Sequence, residues 1–133
     1  MLAGNAPVLI HNCDPSDELL DMADANINGA NAAAEVVATN GARGYGVSAP
    51  RSMSQLTPQV RAAVQTTGHH GGCAEIGALC LIELGGNPLK GARGQAVKVS
   101  GGSKQHPVEQ HGEEIAFCEA CDDLFSFLEG GPM

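Results

Sequence analysis

Apolar residues recur at helical spacing in four stretches of the chain, and each stretch is punctuated as helices usually are. Leu19, Leu20, Met22, Ala23 and Ile27 form a stripe behind Asp14 or Ser16, either of which suits an N-cap, with acids in the first turn. This predicts a helix over 16–28. Gly29 interrupts it, and the alanine-rich 31–37 reads as a second helical piece. The following TNGARGYG is turn-prone and suits either a loop or the start of a short strand. Val60, Ala63 and Val64 then share one side of a helix with Pro58 in its first turn and Ser54 or Thr57 as cap.

Behind the glycine turn His69-His70-Gly71-Gly72, the apolar residues Ile76, Leu79, Cys80 and Ile82 to Leu84 mark a helix over 74–84, closed by Gly85-Gly86. The last helix follows Cys118, turns Leu124, Phe125 and Leu128 inward and closes at Gly130. Two segments read as strands: the apolar run Val8 to Ile10, and GQAVKVSGG, where Ala96 and Lys98 alternate with Val97 and Val99. A polar loop occupies 100–114, and no internal repeat is visible.

At 133 residues the chain suits one domain with a real core. Tyr45, Phe117, Phe125 and Phe127 are its only aromatics, so that core is expected to be aliphatic. No apolar run approaches the ~20 residues of a membrane span, and the start lacks the basic and long apolar regions of a secretory signal. The sequence therefore carries no membrane address of its own. The net charge of −8 argues against a polyanionic partner, yet all seven basic residues lie from Arg43 to Lys104, where Glu75 and Glu83 are the only acids. A basic middle between acidic flanks leaves room for a local track along nucleic acid, and equally for ordinary scattered surface cations.

Five cysteines, an odd number, include one C-x-x-C pair, which fits metal or redox chemistry better than a disulfide framework. Two helices begin with cysteines: Cys73 at one, Cys118 and Cys121 at the other. A helix N-terminus favours the thiolate that a metal needs, and in C-x-x-C both sulfurs lie on one helical face. If the two helices pack side by side, three thiolates converge, leaving a tetrahedral zinc one open position. Water there would have its pKa lowered from 15.7 to roughly 7. Glu75, two residues after Cys73, is placed to move that water's proton.

These residues, Cys73-Ala74-Glu75 and Cys118-Glu119-Ala120-Cys121, resemble the zinc-dependent nucleobase deaminase superfamily, whose motif is His or Cys, a spacer, Glu, and later P-C-x-x-C. The all-cysteine form and the GHHGGCAEI loop resemble YwqJ-like deaminases of bacterial polymorphic toxins. At the N-terminus, Val8–Ile10 running into His11-Asn12-Cys13 resembles the end of a Hint-type self-cleaving module. The domains implied are 1–13, the end of a Hint-like pretoxin region, and 14–133, the deaminase toxin domain. The resemblance implies an α/β fold, a three-layer α/β/α cytidine-deaminase-like sandwich with a central mixed sheet, in which the Cys73 and Cys118 helices lie side by side on one face. It further implies Zn2+ held by Cys73, Cys118 and Cys121, catalysis by Glu75, and conversion of cytosine to uracil in nucleic acid, with single-stranded DNA favoured. The partners would be that strand and a cognate immunity protein, and the chain a secreted effector acting in the target-cell cytoplasm. By position, His69, His70, Arg43, Tyr45 and Arg51 are the residues for substrate binding.

Two features depart from the superfamily pattern. Phe117 stands where proline would fix the start of the helix. Only twelve residues follow Cys121, so the sheet is either completed from earlier segments or shortened at this end. Other readings stay open: a structural zinc with His69, His70, His106 or His111 as fourth ligand, a redox C-x-x-C, a metabolic deaminase of a free nucleoside or nucleotide, or a zinc-stapled interaction module. Cys80, among apolar neighbours, reads as core, and Cys13 as the residue left by cleavage or an incidental thiol.

Overall fold

The computed structural model describes residues 15–100 and 108–133; the Hint-like segment with Cys13, and also Lys104 and His106, lie outside them. The described elements run in the order α1 (Asp17–Ala25), β1 (Ala32–Val37), β2 (Arg43–Val47), α2 (Pro58–Thr67), α3 (Ala74–Leu84), β3 (Arg93–Lys98), β4 (Glu114–Ile115), α4 (Glu119–Phe127) and β5 (Gly131–Pro132), with short 3-10 turns at Met53–Gln55 and Val108–Gln110. The strands form one mixed sheet in the order β2-β1-β3-β4, with β5 also paired to β3. Strand β1 is antiparallel to both neighbours, and Glu35 pairs with Tyr45 on one side and Gln95 on the other.

The segment 31–37 corrects the helical reading, because most of it is the central strand β1. Alanine favours a helix locally, but here Ala33 and Glu35 face one side and Ala34 and Val36 the other, all four buried. Ladder hydrogen bonds on both edges and burial on both faces override that small local preference. The outer side of the sheet is completed partly from before the C-x-x-C helix and only by one two-residue strand after it. Strand β4 pairs antiparallel with Ala96 and Val97, and β5 pairs parallel with Arg93 and Gly94, so two short strands share the outer edge of β3.

Helix α1 covers one face, burying Leu19 and Ala23 against Ala33, Val97 and Val99. It ends at Ala25, earlier than its apolar stripe suggests; Asn26 caps it and Ile27 is exposed. Helices α2, α3 and α4 share the opposite face and the main core, built from Val36, Val60, Val64, Ile76, Leu79, Ile82, Leu124 and Phe125. Helix α2 starts at Pro58 as expected, but the Thr57 side chain makes no cap hydrogen bond and its buried hydroxyl has no partner among the described residues. Instead, the carboxylate of Glu83 on α3 accepts from the amides of Gln59 (3.0 Å) and Val60 (3.1 Å). A side chain from the neighbouring helix thus satisfies the free N–H groups and complements the helix dipole.

The height of α3 above the sheet follows from the glycines in RGYGV. A Cβ at Gly44 would sit 2.4 Å from the Ala78 carbonyl oxygen, and one at Gly46 2.5 Å from the Ala78 amide nitrogen. Because side chains alternate across a strand, both glycines face α3 while Tyr45 faces α1. The helix therefore rests almost directly on the backbone of β2, carrying Cys73 and Glu75 down to the sheet edge.

Candidate metal centre

Cys73 is the N-cap of α3, Cys118 the N-cap of α4, and Cys121 lies in the first turn of α4. The Cys73 and Cys118 sulfurs are 3.9 Å apart across the two helix starts. The ligand atoms of His69, Cys73 and Cys121 all lie within 4.8 Å of one another, a group able to hold a metal ion. All four described cysteines are free thiols, and Cys80 packs beside the main core away from this cluster. Phe117, in the place of proline, packs at a tilt against Phe125 with ring centroids 4.8 Å apart, over Gly94. Apolar packing thus sets the start of α4 where a ring-locked φ would otherwise do so.

The ring nitrogens decide which groups are ligands. The Nδ1 of His69 accepts a hydrogen bond from the Gly71 amide at 2.7 Å. In a neutral imidazole the other nitrogen, Nε2, then carries the proton and cannot offer a lone pair to a metal. A ligating histidine almost always donates from its second nitrogen, whereas here that nitrogen accepts. His69 Nε2 instead lies 3.3 Å from the Cys121 sulfur, within hydrogen-bond distance. His70 repeats the pattern: its Nδ1 accepts from the Gly72 amide at 3.0 Å, and Nε2 lies 3.4 Å from the Cys73 sulfur. His111 is engaged elsewhere, with Asp24 (2.8 Å) and the Ser100 amide (3.1 Å). Cys118, whose sulfur lies 3.9 Å from that of Cys73, stands beside the His69, Cys73 and Cys121 group, which is compatible with a metal ion such as zinc.

Glu75 is buried one residue into α3 and lines a pocket of about 230 Å³ together with Cys73, Cys118, Cys121, His70 and Ile115. Burial pushes its carboxyl above the ordinary range, and the neighbouring Cys73 thiolate adds to the rise. Without a metal, Cys73 is the acidic member of the cluster, lowered to about 4 by a hydrogen bond from Cys121 against the opposing effect of burial. The Cys121 thiol is driven upward by the same hydrogen bond. A wider cleft of about 500 Å³, lined by Asn28, Gly29, Ala30, Ala49 and Pro50, shares Asn31, Ser48, His70 and Gly72 with the pocket.

Of the residues expected at the substrate, only His70 lines these two cavities. Arg43 and Tyr45 lie on the α1 face, both bonded to the buried Glu35, and the bond to Glu35 raises the Arg43 pKa further. Arg51 is a staple: its guanidinium donates to the carbonyls of Val47, Ala49, Gly71 and Cys73 at 2.6–3.3 Å, fastening the end of β2 to the loop that carries Cys73. No lysine or arginine lines either cavity among the described residues. Asn31 and Ser48 were not singled out from the sequence; they reach the pocket because strands β1 and β2 end there. No protein-family model, no curated protein and no solved structure matches this chain.

Proposed function

We propose that this chain is a zinc-dependent hydrolytic deaminase of a nucleobase, built on a cytidine-deaminase-like α/β/α sandwich. One juxtaposition carries the reading: a buried carboxylate without an ion pair among the described residues, in one pocket with three thiols from two helix starts. A structural zinc site gives no reason to bury that charge, and His69, the natural fourth ligand of such a site, has its free lone pair occupied.

Cys73, Cys118 and Cys121 would hold a zinc ion, which when bound would supply the Lewis acidity that makes a water nucleophilic near neutral pH. Glu75 would carry both protons of the attacking water, one to the ring nitrogen and one to the leaving amine, so that a C–N bond is exchanged for a C–O bond and ammonia departs. Its raised pKa suits both halves of the task, because a carboxyl poised nearer neutrality both accepts and releases. The pocket of about 230 Å³ has room for a single base, and its apolar wall, Ala74, Ala96 and Ile115, offers a surface for one ring face.

The substrate we assign is cytosine in a nucleic-acid strand, single-stranded DNA before others, with the chain acting as a toxin effector in a target cell and restrained by an immunity protein. This rests on the resemblance to toxin deaminases. The cation-free walls of both cavities favour a second reading, deamination of a free nucleoside. Deep sequencing of DNA and RNA from cells expressing the chain or its Glu75→Ala variant separates the two. Base changes of C to T that vanish with Glu75→Ala support the first; unchanged nucleic acid with turnover of cytidine supports the second; neither, in a protein that binds no zinc, removes both.

A further inference from the structure

Every sulfur of the proposed zinc site has a nitrogen within 3.5 Å of it. Cys121 faces His69 Nε2 at 3.3 Å, Cys73 faces His70 Nε2 at 3.4 Å, and Cys118 accepts from the Cys121 amide at 3.5 Å. The two histidines are oriented by one device used twice. In each, Nδ1 accepts from the backbone amide two residues on, Gly71 or Gly72, and their rings stack with centroids 4.5 Å apart. Gly71, at φ 82°, is in the left-handed region that glycine enters freely, which lets successive amides turn back onto successive rings.

We infer that His69 and His70 are a tandem pair of positioning residues, held as Nε2–H tautomers to donate hydrogen bonds to two of the zinc thiolates and to draw charge from them. This rests on the three-thiolate reading of the site. Its physical need is electrostatic: a divalent ion with three thiolates carries a net negative charge, and Glu75 sits in the same pocket, so an undressed site would be a poor Lewis acid. N–H donors on the sulfurs weaken their donation to the metal, as hydrogen bonds do at other thiolate-ligated centres. The pair acts through the ligands. It supplies the electron withdrawal that an all-thiolate site lacks and a site with a neutral imidazole ligand has already.

The test uses the full chain loaded with 113Cd and 15N-labelled at histidine. Long-range 1H–15N spectra at neutral pH are expected to show both residues as Nε2–H tautomers with no 113Cd–15N coupling, and the 113Cd resonance to report three sulfurs. His69→Leu should move that resonance while one ion per chain is kept, and His69→Gln, whose amide nitrogen reaches a similar place, should largely restore it; His70→Leu and His70→Gln should do the same through Cys73. A 113Cd–15N coupling to His69, or an Nδ1–H tautomer at either residue, overturns the inference even if no variant folds. A cadmium signal moved equally by Leu and Gln also overturns it. Failure of the underlying reading looks different: no stoichiometric metal, or fewer than three sulfurs on it.

Discussion

Two glutamates are buried among the described residues, one on each face of the sheet, and they are treated in opposite ways. Glu35, on the α1 side, accepts from the Ser16 hydroxyl at 2.6 Å, from Arg43 and from Tyr45 at 3.4 Å. The same Ser16 oxygen accepts the Leu19 amide at 3.1 Å, so one carboxylate ties the cap of α1 to two strands. Glu75, on the α3 side, has thiols for neighbours and makes no ion pair with lysine or arginine among the described residues. A buried carboxylate with a cation and two hydroxyls has partners that offset its burial. One left among thiols costs stability, a cost that the proposed acid-base role of Glu75 would explain.

The sharpest way to break this comparison is to remove the two charges separately. Glu75→Gln should lower deamination by about 10²–10⁴-fold, the usual contribution of a positioned acid-base group, with one zinc per chain retained. Glu35→Gln should leave turnover per folded molecule unchanged and lower the urea midpoint. Equal loss of activity in both would mean that Glu75 has no special role. Next in size is the cost of orphaning Glu35. Arg43→Ala should destabilise the fold by about 2 kcal/mol, less than the ~3–5 kcal/mol of a fully buried pair because Arg43 is 53% exposed. Gly46→Ala should cost a similar amount, about 1–3 kcal/mol, since its Cβ would meet the α3 backbone at 2.5–2.6 Å. Its urea midpoint should fall together with zinc affinity, because the α3 start carries Cys73.

The smallest effect has the opposite sign. Glu75 titrates above its unfolded value, so the native metal-free protein holds this proton more tightly than the unfolded chain does. Its contribution is intact below the unfolded pKa, near 4.5, and is lost as pH rises through the folded one. Glu75→Gln should therefore stabilise the metal-free protein at pH 7 by about 1 kcal/mol, of the order found for other site residues whose activity costs stability. It should also remove that part of the decline in stability above pH 4.5, as read from urea midpoints across pH 4–8.

What could be read from the sequence was whatever depends on near neighbours. The helix over Ala74–Leu84 was legible to the residue, and Pro58 and Cys118 marked the starts of α2 and α4, because caps and apolar stripes are local. Cys73, Cys118 and Cys121 could be brought together on paper because each sits at a helix start. Strand β1 could not: five of its six residues are Ala or Val, and only pairing with segments 10 and 60 residues away makes them a strand. The part played by Arg51 was equally hidden, since four carbonyls from two separate stretches of the chain converge on it. His69 and His70 could be noticed as a pair beside a thiol, but their direction depends on which nitrogen the glycine amides occupy, a property of turn geometry and not of composition.

The glycines beneath the helices have a consequence for how accurately the sulfurs can be spaced. Cys73 rides on α3, whose seat is Gly44 and Gly46 of β2, while Cys118 and Cys121 ride on α4, whose Phe125 rests on Gly94 of β3. The spacing of the sulfurs is thus the difference between two helix heights, one fixed by direct contact of helix and strand backbones and the other by aromatic rings seated on a glycine. A single methyl under either seat would act as a shim. In a close-packed interior that shim has nowhere to relax, and the metal centre would register it as a changed sulfur-to-sulfur span before the fold as a whole gave way.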